Sequence, residues 1–445
     1  MQFTMRRRLV PALSAAVAVT LGATTLAACG SGPEDEGSAG SGPVSLTYWA
    51  WAPGMDKVAA IWNAGEGKEA GIKVTVKKQA SGDELVTKII TAAKAEKGPD
   101  LVQAEYQALP TLVSNDVLAD ISGDAGDAEK AFAPGVWQQT TLGTDAVYAV
   151  PQDSGPMMFY YREDLFEKYG LTVPTTWDEF AETARKLKKK DPAKALTTFS
   201  SNDAGLFAGL SQQAGAKWWT TEGDSWKVGI DDAATRRVAD FWGGLVEEGA
   251  VDNQPMYTPA WNKGLNTGKQ IAWVSAVWAP GVLTTAAPDT RGKWAMAPLP
   301  QWTEGDNTTG SWGGSSTAVT NDSRNKKAAA EFATWLNTDE EALAALVREG
   351  GIYPAATAAQ TGGALAEAPE FFSNQPDFYT EAAEIAATTA PSAWGPNVNV
   401  AYTAFRDEFA KAAKARSRAR FGAALTTMQD ATVADLKKTG FKVAG

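Results

Sequence analysis

The 445-residue chain predicts an α/β protein, on three observations. Short apolar strands alternate with amphipathic helices from Val44 onward. No stretch after the N-terminal leader is long and apolar enough to span a membrane. Roughly 400 residues follow that leader and its linker, enough for two or three ordinary domains or one protein with two large lobes.

Arg6, Arg7 and Arg8 form a positive cluster, and a nearly uncharged apolar stretch follows from Leu9 to Ala28. A charged region, an apolar region and a small-residue cleavage site make residues 1–28 a secretory signal peptide. An uncut transmembrane anchor fits less well, because Pro11, Ser14 and Gly22 interrupt the stretch. Leu26-Ala27-Ala28-Cys29 resembles the bacterial lipobox. That resemblance implies cleavage before Cys29, acylation of its thiol and anchoring at the extracytoplasmic face of the cell membrane, with the general and twin-arginine export routes both open. Gly30 to Pro43 contains only Gly, Ser, Pro, Ala and acidic residues. It cannot bury a core, so 29–43 reads as a lipidated cysteine and flexible tether.

The body opens with a strand at Val44–Trp49, a helix over about 56–63 and an alternating strand at Ile72–Val76. Leu85, Ile89, Ile90 and Ala93 share one face of a helix over 83–96. Pro99–Gln103 is a short buried strand, and Leu109–Ser114 a helix. Met157–Tyr161 reads as a strand and 162–169 as a short helix. Thr176 and Glu179 form a capping box that starts a helix running to Lys190. Further helices are expected at 232–248, 328–336, 340–348 and through most of the chain after Ala401, with a strand at Gln270–Val277. This alternation predicts a largely parallel sheet with helices on both faces. Ligands then lie beyond the carboxyl ends of the strands, where Trp49-Ala50-Trp51 and Gln103-Ala104-Glu105-Tyr106 fall.

Composition narrows the chemistry. Without the three signal arginines the chain keeps 38 basic against 52 acidic residues, a net charge of −14. This argues against nucleic acid and against a polybasic membrane surface. Cys29 is the only cysteine and there is no histidine. Serine–histidine and cysteine–histidine catalysis and His-ligated metals are therefore excluded, leaving carboxylates, lysine chemistry or oxygen-ligated metals. Tryptophan is abundant instead, at seventeen positions, several of them beside loop-forming residues.

The motifs Leu46–Trp51, Gly98–Val102, Val150–Gly155, Tyr160–Phe166, Pro174–Phe180, Gly268–Ala272 leading to Trp278, Ala297–Pro300, Gly313–Ser316 and Glu331–Leu336 occur in a fixed order behind the lipobox. In that order and spacing the chain resembles the extracellular solute-binding proteins of the maltose and multiple-sugar type (family 1 solute-binding proteins of ABC transporters). The resemblance implies a two-lobed, periplasmic-binding-protein-like fold with three hinge crossings and a ligand cleft between the lobes. The crossings are expected near 152–156, 298–305 and 350–355, all rich in Gly and Pro. The first lobe is then 44–152 plus 306–350, and the second 153–305 plus 351–445. The same resemblance implies a binding protein rather than an enzyme, with no cofactor and no metal. It would act as a monomer that captures a sugar, most simply an oligosaccharide, and delivers it to the ABC permease subunits in the membrane.

A pyranose has a C–H face that an indole covers and hydroxyls that polar side chains satisfy. The family pattern places Trp278 and Trp394 as stacking residues. Trp49, Trp51 and Trp312 are further candidates, with Asp153, Glu105 and Gln103 for the hydroxyls and Gly314 for close backbone approach. Trp62, Trp177, Trp242 and Trp335 lie within helices and belong to the core. The rival readings are a peptide or polyamine ligand on the same fold, a secreted glycoside hydrolase with paired carboxylates, and a ferric-ion protein using Tyr160 and Tyr161.

Overall fold

The computed structural model describes residues 43–360 and 363–444. The signal peptide, the lipidation site Cys29 and the tether up to Gly42 lie outside these residues. Residues from Val44 to Gly445 form one compact unit. Its strands are β1 (Val44–Ala50), β2 (Ile72–Lys78), β3 (Leu101–Glu105), β4 (Ala149–Asp153), β5 (Met157–Arg162), β6 (Trp219–Glu222), β7 (Ser225–Val228), β8 (Ala272–Ala276), β9 (Trp294–Ala297) and β10 (Ser315–Val319).

Two sheets carry the two lobes. The first has the order β2-β1-β3-β10-β4 and the second the order β8-β5-β9, while β6 and β7 form a separate hairpin. Alternation along β1 sends Leu46, Tyr48 and Ala50 to one face, where helices Met55–Ala64, Lys326–Thr338 and Glu340–Gly350 cover them. The opposite face packs Val102, Ala104 and Ala318 against Leu85, Ile89, Leu109 and Leu112. The second lobe has a larger core rich in aromatic rings, including Trp177, Phe180, Phe199, Trp242 and Phe409. Helix Trp177–Lys190 begins with a capping box in which Thr176 Oγ1 accepts from Glu179 N (3.2 Å) and Glu179 reaches back to Thr176 N.

Three expectations change. The first sheet is mixed rather than largely parallel: β1 runs parallel to β2 and β3, but β10 is antiparallel to both β3 and β4. In the second sheet β5 is antiparallel to both β8 and β9. The cause is that β10 returns from the other lobe and enters the first sheet from the crossing side. The second crossing also falls later than 298–305. Gln301 bridges Thr176, Thr309 bridges Thr389 and Ser311 bridges Pro156, so the chain stays on the second lobe through Trp312 and changes sheet at Gly313-Gly314. The third crossing lies beyond 350–355, since Ala356 bridges Phe132 and Thr357 Oγ1 donates to Ala131 O (3.1 Å) on the first lobe. The chain is on the second lobe by Phe371, whose carbonyl accepts from Gly292 N (3.0 Å).

Candidate ligand-binding cleft

The edge of the first sheet that faces the crossings is made by the carboxyl ends of β1, β3 and β4 and the start of β10. In the register Ser315 stands between Glu105 of β3 and Asp153 of β4, so these residues lie side by side along that edge. Trp51 follows β1 directly. The facing edge of the second sheet pairs Met157 with Ala276, and two residues later Trp278 opens helix Ala279–Ala286. Strand ends from two lobes therefore converge where the chain crosses, the position at which α/β proteins hold ligands.

On the second-lobe side the aromatic residues are tiered. Trp278 is partly exposed; its Nε1 donates to the Trp312 carbonyl (2.9 Å), and its ring meets Trp312 edge-on at 4.7 Å and Trp273 at 5.8 Å. Trp273 in turn meets Trp261 at 5.1 Å and Tyr257 at 6.5 Å, and Tyr257 meets Trp261 at 5.4 Å. Trp261, Trp273 and Trp312 are buried, whereas Tyr257 is 45% exposed. The lower rings thus hold Trp278 and Tyr257 in place and leave their surfaces free. Trp312 backs Trp278 rather than offering a face of its own.

Asp203 stands beside this tier. It caps helix Ala204–Gln213 by accepting from Leu206 N (3.1 Å), and the Trp312 indole also donates to it. Burial pushes its carboxyl up to about 6, against those donors. The Tyr257 phenol is held well above its usual value, by burial first and by the Asp203 charge second. Tyr257 also has φ of 62°, a strained backbone for an aromatic residue and one that tends to mark functional sites.

The first-lobe candidates divide. Asp153 accepts from Ser315 N through its carboxylate, while its carbonyl accepts from Tyr106 Oη (2.9 Å). Burial raises its carboxyl to about 6. Glu105 is partly exposed and accepts from Gln107 Nε2 (2.7 Å). Gln103 is 1% exposed, and its amide is spent internally. Oε1 accepts from Trp51 N and Ala52 N, both at 3.1 Å, and Nε2 donates to Ser315 Oγ (3.0 Å). It shapes the β1 loop from beneath. Trp49 and Trp51 both pack on the outer cluster of the first lobe, with the Lys88 ammonium 5.0 Å from the centre of the Trp49 ring. Trp394 is partly exposed and touches both that cluster and the second core, beside Trp219 at 6.3 Å. Gly314 has φ of 93°, and a Cβ there would lie 2.8 Å from the Tyr106 ring, so only glycine lets β10 start this close.

A groove of about 460 Å³ lined by Glu66, Asp124, Lys327, Glu331 and Trp335 lies along helix Lys326–Thr338 of the first lobe. It holds none of the converging strand ends, and the crossing edge is the better site. Asp203 and Tyr257 were missed from sequence. Asp203 had a faint signal, an Asp just before a helical run. Tyr257 had none, because its exposure and strain exist only once Trp261 and Trp273 are packed.

Two α/β lobes joined by three crossings, with aromatic faces and carboxylates between them, define a two-lobed binding protein. The chain belongs to the bacterial extracellular solute-binding protein family, whose family model matches residues 50–343. It is similar to the galacto-N-biose-/lacto-N-biose I-binding protein of the ABC transporter from Bifidobacterium longum, solved in complex with lacto-N-biose. That match has 28% identity and a TM-score of 0.81 over 91% of this chain and 100% of the other. It is likewise similar to the ABC transporter associated binding protein from B. animalis subsp. lactis in complex with β-1,6-galactobiose, at 27% identity and a TM-score of 0.79, covering 90% and 99% of the two chains. A lactose-binding protein of Rhizobium radiobacter is 30% identical over 238 residues, 52% of this chain and 54% of its own length, so the match spans about half of that relative.

Proposed function

We propose that this chain is the substrate-binding component of an ABC importer and captures an oligosaccharide, β-galactosides first, between its lobes. The observation that carries the reading is the tier in which buried Trp261, Trp273 and Trp312 support Trp278 and Tyr257, whose surfaces remain accessible, with the Asp203 carboxylate against Trp312. Rigid aromatic faces cover the C–H side of a sugar, and carboxylates accept from its hydroxyls. The relatives solved with lacto-N-biose and β-1,6-galactobiose support the choice of ligand. Trp394 and Trp51 contribute from the other side, with Glu105 toward a hydroxyl. The lobes are read as 44–153 with 314–360, and 157–312 with 370–445. The protein acts as a monomer and without chemical change to the sugar.

A thermal-shift and calorimetric screen tests this against lactose, lacto-N-biose, β-1,6-galactobiose, arabino-oligosaccharides, polyamines and short peptides. A β-galactoside is expected to raise the melting temperature and to be recovered unhydrolysed. Stabilisation by a polyamine or peptide alone overturns the sugar reading. With the cognate sugar, small-angle scattering is expected to show a smaller radius of gyration, because contacts to both walls favour the closed state through differential affinity.

The same reading places the body outside the cytoplasmic membrane on a lipid attached to Cys29. Cys29→Ala is expected to leave the precursor uncleaved by the lipoprotein peptidase or to release the protein to the medium. Mass spectrometry of the wild-type N-terminal peptide should show the acyl chains, and a fully soluble, unacylated wild type refutes the anchor.

A further inference from the structure

Two of the three crossings meet at one residue, and the segment that leads to the third lies against it. Asp153 ends β4 and begins the first crossing. Its carboxylate accepts from Ser315 N, immediately after the second crossing at Gly313-Gly314. Its backbone bridges Pro354 on the approach to the third, and the next residue, Ser154, donates from N to Tyr353 O at 3.2 Å. The β4–β10 register slips between Ser315 and Ser316, so a bulge sits at this junction. Ser315 also carries the chain of contacts outward: its Oγ accepts from Gln103, which holds Trp51 N and Ala52 N. One carboxylate therefore touches the hinge directly and the aromatic wall through two intermediates.

We propose that the Asp153 carboxylate is a positioning group that sets the balance between the lobes: ionised, it drives the crossings toward an arrangement that hydrates it, and neutral, or engaged by a ligand hydroxyl, it lets them pack as they do here. The physical reason is linkage. In the packed arrangement burial raises its carboxyl from 3.8 to about 6, in spite of the Ser315 donor. Any arrangement that admits water returns the group toward its ordinary value. Ionisation therefore shifts the balance toward the hydrated arrangement as pH rises from 3.8 to about 6, levelling off above, and protonation favours the packed one as pH falls through the same window.

The phenols that face Asp153 do not titrate in this range. Tyr106 beside its carbonyl and Tyr48 on β1 are phenols that burial holds above their usual value, as is Tyr353 beside Ser154. Glu105, across β10, is the neighbouring carboxylate. The functional consequence rests on the reading of the cleft as a sugar site: an empty cleft keeps a charged Asp153 and resists packing, and a bound hydroxyl replaces the lost water. The device itself needs no ligand, so its test is independent of any sugar screen.

The test measures inter-lobe distance by pulsed dipolar spectroscopy on the full chain. Spin labels go on Lys73→Cys of the first lobe and Lys189→Cys of the second, both exposed positions, in a Cys29→Ser background. Without ligand, the distance distribution is expected to change between about pH 7.5 and about pH 5, the population ratio moving about tenfold in all, because a hydrated carboxyl at its ordinary value is already ionised at pH 5. Asp153→Asn should show the acid distribution at both values, and Glu105→Gln should keep the wild-type response. An unchanged wild-type distribution overturns the proposal without recourse to any variant. So does a pH response that survives in Asp153→Asn, or one that Glu105→Gln abolishes.

Discussion

Replacing Trp278 by alanine is expected to weaken sugar binding about thirtyfold, the effect of losing about 2 kcal/mol at a central anchor. The ring lies at the opening of helix Ala279–Ala286, partly exposed, with Trp312 edge-on behind it at 4.7 Å. Truncation removes the face on which the sugar rests and uncovers the rings beneath. It also frees the Trp312 carbonyl that accepts from Trp278 Nε1, but the cleft supplies water for that group. The melting temperature of the ligand-free protein should therefore change little. Calorimetry with the cognate sugar and a melting curve without it check both halves. Unchanged affinity, or collapse of the fold, removes Trp278 from the site.

Trp242→Ala is expected to give the opposite pattern. This indole is 2% exposed, and its ring lies 5.9 Å from Trp177, 5.6 Å from Phe180, 5.8 Å from Phe199 and 5.6 Å from Phe241. No hydrogen-bond partner is recorded for its Nε1, so the loss is one of packing. Truncating an aromatic residue in a tight core costs about 3–5 kcal/mol. For one compact unit of roughly 400 residues, at about 2.1 cal/mol/K per residue, that lowers the midpoint by about 4–6 °C. Trp335→Ala should fall in the same direction by less, since Trp335 is 7% exposed at the rim of the first core beside Trp62 and Phe332. Circular dichroism melting checks the order. The fraction of Trp242→Ala that remains folded should bind ligand normally, because none of its contacts lines the cleft.

The contrast between these two tryptophans shows where sequence reading is strong. Trp62, Trp177, Trp242 and Trp335 sit at helical spacing among other apolar residues, and all four are buried. Periodicity also located helix Asp83–Lys94, helix Glu340–Gly350 and the capping box at Thr176. For loop tryptophans no period exists. Trp278, placed by the family pattern, and Trp312, a further candidate, differ in the structure: one is partly exposed and the other supports it, because helix Ala204–Gln213 and its cap Asp203 close over Trp312. Gln103 looked like a hydroxyl partner, and tertiary packing turned its amide inward onto Trp51 N and Ala52 N.

By itself, then, the sequence determined the α/β class, most helices, the membership of the cores and, through ordered motifs, the family. These depend on interactions within a few residues or on patterns that recur wherever the family occurs. Tertiary structure alone decided the direction and place of β10, the point at Gly313-Gly314 where the chain changes sheet, and the packing of Asp203 and Tyr257 against the tier of rings. It also decided the convergence of two crossings on Asp153. Each of these depends on pairing between segments far apart in the chain, such as Ser315 with both Glu105 and Asp153. Such pairings are set by the total burial and hydrogen bonding of the assembled lobes, which no local pattern of residues encodes.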